Sequence, residues 1–433
     1  MQNDISTFQL SNGLKVLLKE IHTTPIISQW IWYRVGSRNE KPGIQGISHW
    51  VEHLQFKGTE KYPSEELDQT ISRVGGMWNA MTHLDWTTYY ETLPAGEIDL
   101  ALDLEADRMQ NSIFDEEEIN AERTVVISEL EGNENEPLFH LNSAIQAEAF
   151  QVHPYDHDVI GTLEDLQKMT RDQLFTYYRS HYQPANAILS ITGDFDTTEL
   201  TKKIEQHFSR ILAQPSAEDK IPQEPPQKQE KSLELKGPGD ALYIQIAYRA
   251  PRADNREFFT VSVLGSLLAG PSPLVMFGGG SISNRTSRLY QALVEKDIVV
   301  SVNGDVQATV DPFLHTFILT LDPNADPQKA LQAFDDEIKK IQQEKTPAQE
   351  IERAIQQAEA MFAYGSENIT NQAFWMGYSN IFADYNWYGN YLQSLRAVTS
   401  SDIQTLAQEH FATQNRTVGI YFPTQEESQN AAK

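Results

Sequence analysis

Along the chain, apolar positions recur at a period of two residues in some stretches and of three to four in others, and each change of period marks an element. Residues 8–18 and 25–35 read as strands, the first with a turn at Asn12-Gly13. A helix is expected over 44–56, where Ile44, Ile47, Val51 and Leu54 recur at helical spacing and Gly58 supplies a stop. A helix over 64–74, a strand over 79–91 and two acidic helices over 96–110 and 116–131 follow. The second half repeats strand, helix, strand and helix at 241–248, 258–268, 313–321 and 327–343. Elements mixed without strict strand-helix alternation predict an α+β fold rather than a doubly wound parallel sheet.

A composition change divides the chain. Residues 213–231 contain Pro215, Pro222, Pro225 and Pro226 and a single large apolar side chain, Ile221, which reads as a linker. The expected organisation is an N-terminal α+β domain over 1–212, a linker over 213–232 and a C-terminal α+β domain over 233–433, each near the size of one domain. The halves share a local echo: Glu122-Arg-Thr-Val-Val-Ile-Ser-Glu129 resembles Glu352-Arg-Ala-Ile-Gln-Gln-Ala-Glu359 at an offset of 230 residues, so duplication is expected.

Composition narrows the function. The 433 residues are 40% hydrophobic, enough to fill more than one core. With 34 Lys plus Arg against 61 Asp plus Glu, the net charge of −27 disfavours nucleic acid, whose phosphates need clustered cations, and favours basic partners. The absence of Cys excludes disulfides, thiolate metal sites and Cys nucleophiles. No apolar run approaches the roughly 18 residues that span a bilayer, so no membrane helix is expected. Met1-Gln2-Asn3-Asp4 opens no basic-then-apolar leader, which points to a soluble cytoplasmic protein; a chain from which a signal had been removed would read the same, and the periplasm then fits.

The sharpest chemical signal is His49-Trp50-Val51-Glu52-His53. At i and i+4 of a helix the two imidazoles project from one face, one turn apart, and can share a metal ion. Glu52 hangs beside that ion, the His-x-x-Glu-His order of a zinc hydrolase motif read in reverse. A surface helix carrying two solvated histidines is the plain alternative. Two His need a third protein ligand, commonly a carboxylate, and an open position for water. Glu122 and Glu129, seven residues apart, share a helix face. Glu129 is the better ligand candidate because it closely follows the apolar run Val125-Val126-Ile127, although a solvated face is the ordinary place for a Glu in so acidic a chain.

These residues resemble the pitrilysin/insulinase zinc metallopeptidases, specifically the group similar to mitochondrial processing peptidase, zinc-bearing subunit. The family pattern places a Glu about 75 residues beyond His-x-x-Glu-His with another Glu seven positions before it, and His49, Glu52, His53, Glu122 and Glu129 match it. The resemblance runs in order through Gly36-Ser-Arg-Asn-Glu40, Phe56-Lys-Gly-Thr59, Gly75-Gly-Met-Trp-Asn-Ala-Met-Thr82, Asp85-Trp-Thr-Thr-Tyr-Tyr90, His153-Pro-Tyr155, Ile160-Gly-Thr162, Asn186 to Asp194 and Ser287-Arg-Leu-Tyr-Gln291. It implies a metallopeptidase fold of two homologous domains, the second an inactive repeat. One zinc ion per chain would be held by His49, His53 and Glu129, with Glu52 as general base and Glu122 hydrogen-bonding a ligating imidazole. The strand bearing Asn79 and Ala80 would pair with substrate as an added strand, where the alternative for Asn79 is a turn cap after Gly75-Gly76.

The implied activity is hydrolysis of unfolded or basic peptides in a closed chamber, with precursor or leader-peptide processing and a non-catalytic assembly role as alternatives. The second half departs from the family: Val294 stands where an Arg is expected, and Val300 or Ser301 where a Tyr is expected. Such a pair would hold the substrate carbonyl. Its absence resembles two-chain members and implies a heterodimer in which a partner supplies it. The glycine-rich stretch 270–280 reads as a loop that is either plain surface or a guide for substrate.

Overall fold

The computed structural model describes residues 5–212, 219–271 and 283–424. Most of the glycine-rich stretch 270–280 and part of the expected linker lie outside the described residues. The fold is α+β, with two sheets, each belonging to its own compact unit.

The first unit comprises residues Met1–Leu130, His153–Pro222 and Gly365–Gly389. Its sheet is built from β1 (Ile5–Gln9), β2 (Lys15–Glu20), β3 (Ile26–Tyr33), β4 (Met77–Thr82), β5 (Thr87–Pro94) and β6 (Ala187–Gly193), in the order β1-β2-β6-β3-β5-β4. Strand β2 runs parallel to β6, and every other neighbouring pair is antiparallel. The central strands explain their composition. All of β6, Ala-Ile-Leu-Ser-Ile-Thr-Gly, is buried, and so is nearly all of β3, because helices cover both faces. One cover is the helix Ile369–Phe382, drawn from far along the chain, whose Ala373 carbonyl accepts a 2.9 Å bond from Ser190 in β6.

The second unit comprises Glu131–Val152, Gln223–Tyr364 and Asn390–Lys433. Strands β7 (Lys231–Pro238), β8 (Leu242–Arg249), β9 (Ser301–Val306), β10 (Leu314–Leu321) and β11 (Arg416–Thr424) lie in the order β7-β11-β8-β10-β9. Again the pair at one side, β7 with β11, is parallel and the rest antiparallel. The topology from β2 to β4 in the first unit is therefore repeated strand for strand. Neither unit is a contiguous half: the helix Pro137–Ala149 packs on the sheet of the second unit as Ile369–Phe382 does on the first.

One expected element divides. The single strand expected over 79–91 is a hairpin, with β4 and β5 paired from Met77↔Thr92 to Thr82↔Thr87. The His83 amide bonds the Trp86 carbonyl at 2.8 Å and closes the turn around Asp85. The consequence for function is that β4 stands at the edge of its sheet.

A candidate metal centre

Helix α1 (Ile47–Leu54) buries Ile47, Trp50, Val51 and Leu54 along one side, which fixes its rotation. His49 and His53 then emerge together on another side, with their Nε2 atoms 3.2 Å apart. Helix α2 (Glu116–Asn133) crosses nearby, its Ile119, Glu122, Val126 and Leu130 buried at helical spacing. Its Arg123 guanidinium stacks 4.6 Å over the Trp50 ring and donates to the Met169 carbonyl at 2.9 Å, docking α2 against α1. Two turns of α2 thus bring Glu129 Oε2 to 3.8 Å from His49 Nε2 and 3.7 Å from His53 Nε2.

His49, His53 and Glu129 form a group whose ligand atoms all lie within 4.8 Å of one another. Two donors on a tetrahedral zinc, each at about 2.0–2.1 Å, stand about 3.3 Å apart, so the imidazole pair fits the ion and the carboxylate completes the set with little movement. Glu129 is the exposed member, its side chain 45% accessible, which leaves the open side that a water or substrate needs.

Glu122 and Glu52 occupy different settings from Glu129. Glu122 Oε1 lies 2.7 Å from His53 Nδ1, the ring atom turned away from the cluster, and this contact orients Nε2 toward Glu129. Lys57 Nζ takes the other Glu122 oxygen at 2.5 Å. Burial alone would raise the Glu122 pKa, but the His53 and Lys57 hydrogen bonds hold it below the ordinary carboxylate range. Burial likewise works against a charge on His53, and the Glu122 bond together with the surrounding carboxylates lifts its pKa nonetheless. For His49, burial and then His53 push the pKa down to about 3. Glu52 is 8% exposed, and burial raises its carboxyl to about 7 against the opposing pull of a 2.7 Å hydrogen bond from Thr82 Oγ1.

Asn79 and Ala80 lie on β4, Asn79 exposed and Ala80 buried, and β4 pairs only with β5 among the described residues. Val300 is exposed just before β9, and Val294 ends a single π-helical turn over Tyr290–Val294. Arg288 is held by Glu350 at 2.9 Å. Thr82 and Lys57 had no assigned part from the sequence, although both fall in the stretches that carry the resemblance. Their signal was position: Thr82 ends the strand beside the motif helix, and Lys57 lies one turn beyond His53.

Comparison with known proteins identifies the family. Residues 15–163 match the sequence profile of the insulinase family, peptidase family M16, and residues 168–358 match that of the peptidase M16 inactive domain. The chain belongs to this pitrilysin-like peptidase family. Zinc protease PqqE of Helicobacter pylori is 26% identical over 423 residues, covering 94% of this chain and 91% of that one. An uncharacterized zinc protease of Bacillus subtilis, YmxG, is 28% identical over 299 residues, 69% of each chain. A probable mitochondrial-processing peptidase subunit beta of Arabidopsis thaliana is 29% identical over 212 residues, 49% of this chain and 40% of its own. In fold, the crystal structure of a protease from Helicobacter pylori superposes with a TM-score of 0.88 at 24% identity, covering 97% of this chain and 99% of that one.

Proposed function

We propose that the protein is a zinc-dependent metalloendopeptidase whose ion is held by His49, His53 and Glu129. The observation that carries this reading is the convergence of those three donors beside a buried Glu52. When bound, zinc supplies a Lewis acid that polarises a carbonyl and acidifies water. Glu52, poised near neutrality, takes the proton from the attacking water and returns it to the leaving amine. Thr82 steadies the Glu52 carboxylate, and Glu122 with Lys57 holds the His53 ring.

The position of β4 at the edge of its sheet among the described residues supports main-chain pairing with an extended peptide at Asn79 and Ala80, which tolerates many sequences. The net charge of −27 favours basic peptides. Precursor processing is the second reading, favoured by the similarity to a processing-peptidase subunit. Enclosure of the reaction in a chamber, and a partner chain that supplies the Arg and Tyr replaced here by Val294 and Val300 or Ser301, belong to the same proposal.

Zinc analysis and peptide hydrolysis test it, with and without a candidate second chain. About one zinc per chain is expected in the wild type and in Glu52→Gln, with the rate of Glu52→Gln lower by at least about 100-fold. Retained turnover in Glu52→Gln refutes the mechanism, full turnover by the isolated chain removes the partner, and an unchanged KM in Ala80→Pro, which lacks the backbone amide, removes β4 from substrate pairing.

A further inference from the structure

Helix α1 starts without a cap of its own. Its N-cap residue is Gly46, at φ 92°, which has no side chain to offer the free amides of the first turn. Those amides are met from outside the helix. Glu40 Oε2 accepts from the Gly46 amide at 2.7 Å and Glu40 Oε1 from the Ser48 amide at 2.9 Å, so one carboxylate spans the start of the helix. Ser48 is the residue before His49.

Glu40 is 3% exposed, and a carboxylate so deeply buried requires a compensating charge. His157 Nε2 stands 2.9 Å from Glu40 Oε2, while His157 Nδ1 meets Asp156 Oδ1 at 2.8 Å. Burial disfavours the imidazolium, but the bonds to Asp156 and Glu40 raise its pKa to about 9, so His157 is charged at neutral pH. The adjoining backbone is locked as well. Asp165 Oδ2 accepts from the Gly43 amide at 3.1 Å and the Gln45 amide at 2.9 Å. Gly46 and Gly161 admit close backbone approach: a Cβ at Gly46 would lie 2.4 Å from the Ile160 carbonyl oxygen, and one at Gly161 2.2 Å from that of Gln45. The stretches 36–40 and 153–165 therefore meet at the head of the helix that carries both histidines.

We propose that the buried Glu40–His157 ion pair is a positioning clamp on helix α1, setting the rise and rotation of the His49 and His53 imidazoles for the metal. Both side chains act through the helix and touch neither donor. An eight-residue helix has little propensity-based stability of its own, so its orientation depends on such external anchors. The clamp rests on the peptidase reading of the site, yet zinc affinity tests it separately from catalysis.

The experiment is zinc affinity by chelator competition and the thermal midpoint on the full chain, with kcat and KM read in the presence of the candidate second chain, for the wild type, Glu40→Gln, His157→Gln and the double variant. The amide of Glu40→Gln keeps the shape and removes one of two acceptors and the charge. Each single variant is expected to weaken zinc binding about tenfold, the lower end for lost outer partners of a metal site. At saturating zinc, kcat falls while KM stays within about twofold, and the double variant is no weaker than the worse single one, as for groups that act as a unit. Wild-type zinc affinity and kcat in whichever variant folds, even with a lower thermal midpoint, overturn the clamp and make the pair a stabilising contact alone. Failure of both single variants to fold overturns it in the same way. A wild type that binds zinc but cleaves no peptide even with the candidate second chain present defeats the peptidase reading, and the zinc affinities still decide the clamp.

Discussion

On the proposed reading Glu52 carries the proton chemistry, and its surroundings set when it can act. Burial lifts the carboxyl to about 7 while Thr82 pulls it back. A base works only when ionised, so kcat/KM should be full above the pKa of Glu52 and decline as pH falls through it. A bound cation stabilises the carboxylate further, which places the acid limb of the zinc-loaded enzyme at or below about 7. Removing the Thr82 hydroxyl removes a bond to the charged form, and Thr82→Val should move that limb upward by about one unit. A pH profile of kcat/KM in both proteins checks this; a limb that stays in place in Thr82→Val assigns the titration to another group. Glu122 and Glu129 illustrate the limit of reading single residues. In a chain with 61 acidic residues their seven-residue spacing is ordinary, and the family pattern singled them out. What separates them is packing, since one is buried against His53 and Lys57 and the other reaches out beside both imidazoles.

Elements show the same division. The motif helix was legible because helical spacing is local: Ile47, Val51 and Leu54 face inward, and the two His must then share the other side. The hairpin of β4 and β5 was read as one strand because its turn, His83-Leu84-Asp85-Trp86, contains neither Gly nor Pro. What makes it a turn lies elsewhere in the chain: Asp85 accepts a 2.5 Å bond from the Tyr155 hydroxyl, and the Ser37 and Arg38 amides bond the His83 and Leu84 carbonyls. The helix Ile369–Phe382 escaped for a related reason, being buried all round and so without an amphipathic stripe. Its Gly377 lies against Trp32, where a Cβ would come within 1.9 Å of Nε1. Ala in place of Gly ordinarily stabilises a helix interior by about 1 kcal/mol. Here Gly377→Ala should destabilise by about 1–3 kcal/mol through overpacking, seen as a lower thermal midpoint. A raised midpoint would show that this helix does not press on β3.

For the molecule as a whole, charge is the property that composition states most directly. A net charge of −27 would draw in basic peptides over a distance that salt shortens to about 10 Å at 0.1 M. Hydrolysis of a basic peptide should therefore lose kcat/KM as salt rises from 0.05 to about 0.5 M, while a neutral peptide of the same length changes little. Equal salt dependence for the two peptides would remove charge from the account of substrate choice. The repeated topology, with the strands from β2 to β4 across the first sheet answered one for one by those from β7 to β9 across the second, matches the duplication read from the 230-residue echo. The sequence by itself determined the α+β class, the duplication, the exclusion of thiolate ligands and the helix that presents His49 and His53, because each follows from composition or from spacing within a few turns. Only the tertiary structure decided how near Glu129 comes to the pair, which groups hold Glu52 and Glu122, what caps the motif helix, and which sheet each of the helices Pro137–Ala149 and Ile369–Phe382 covers. Those depend on contacts between residues far apart in the chain, and spacing records no such distance.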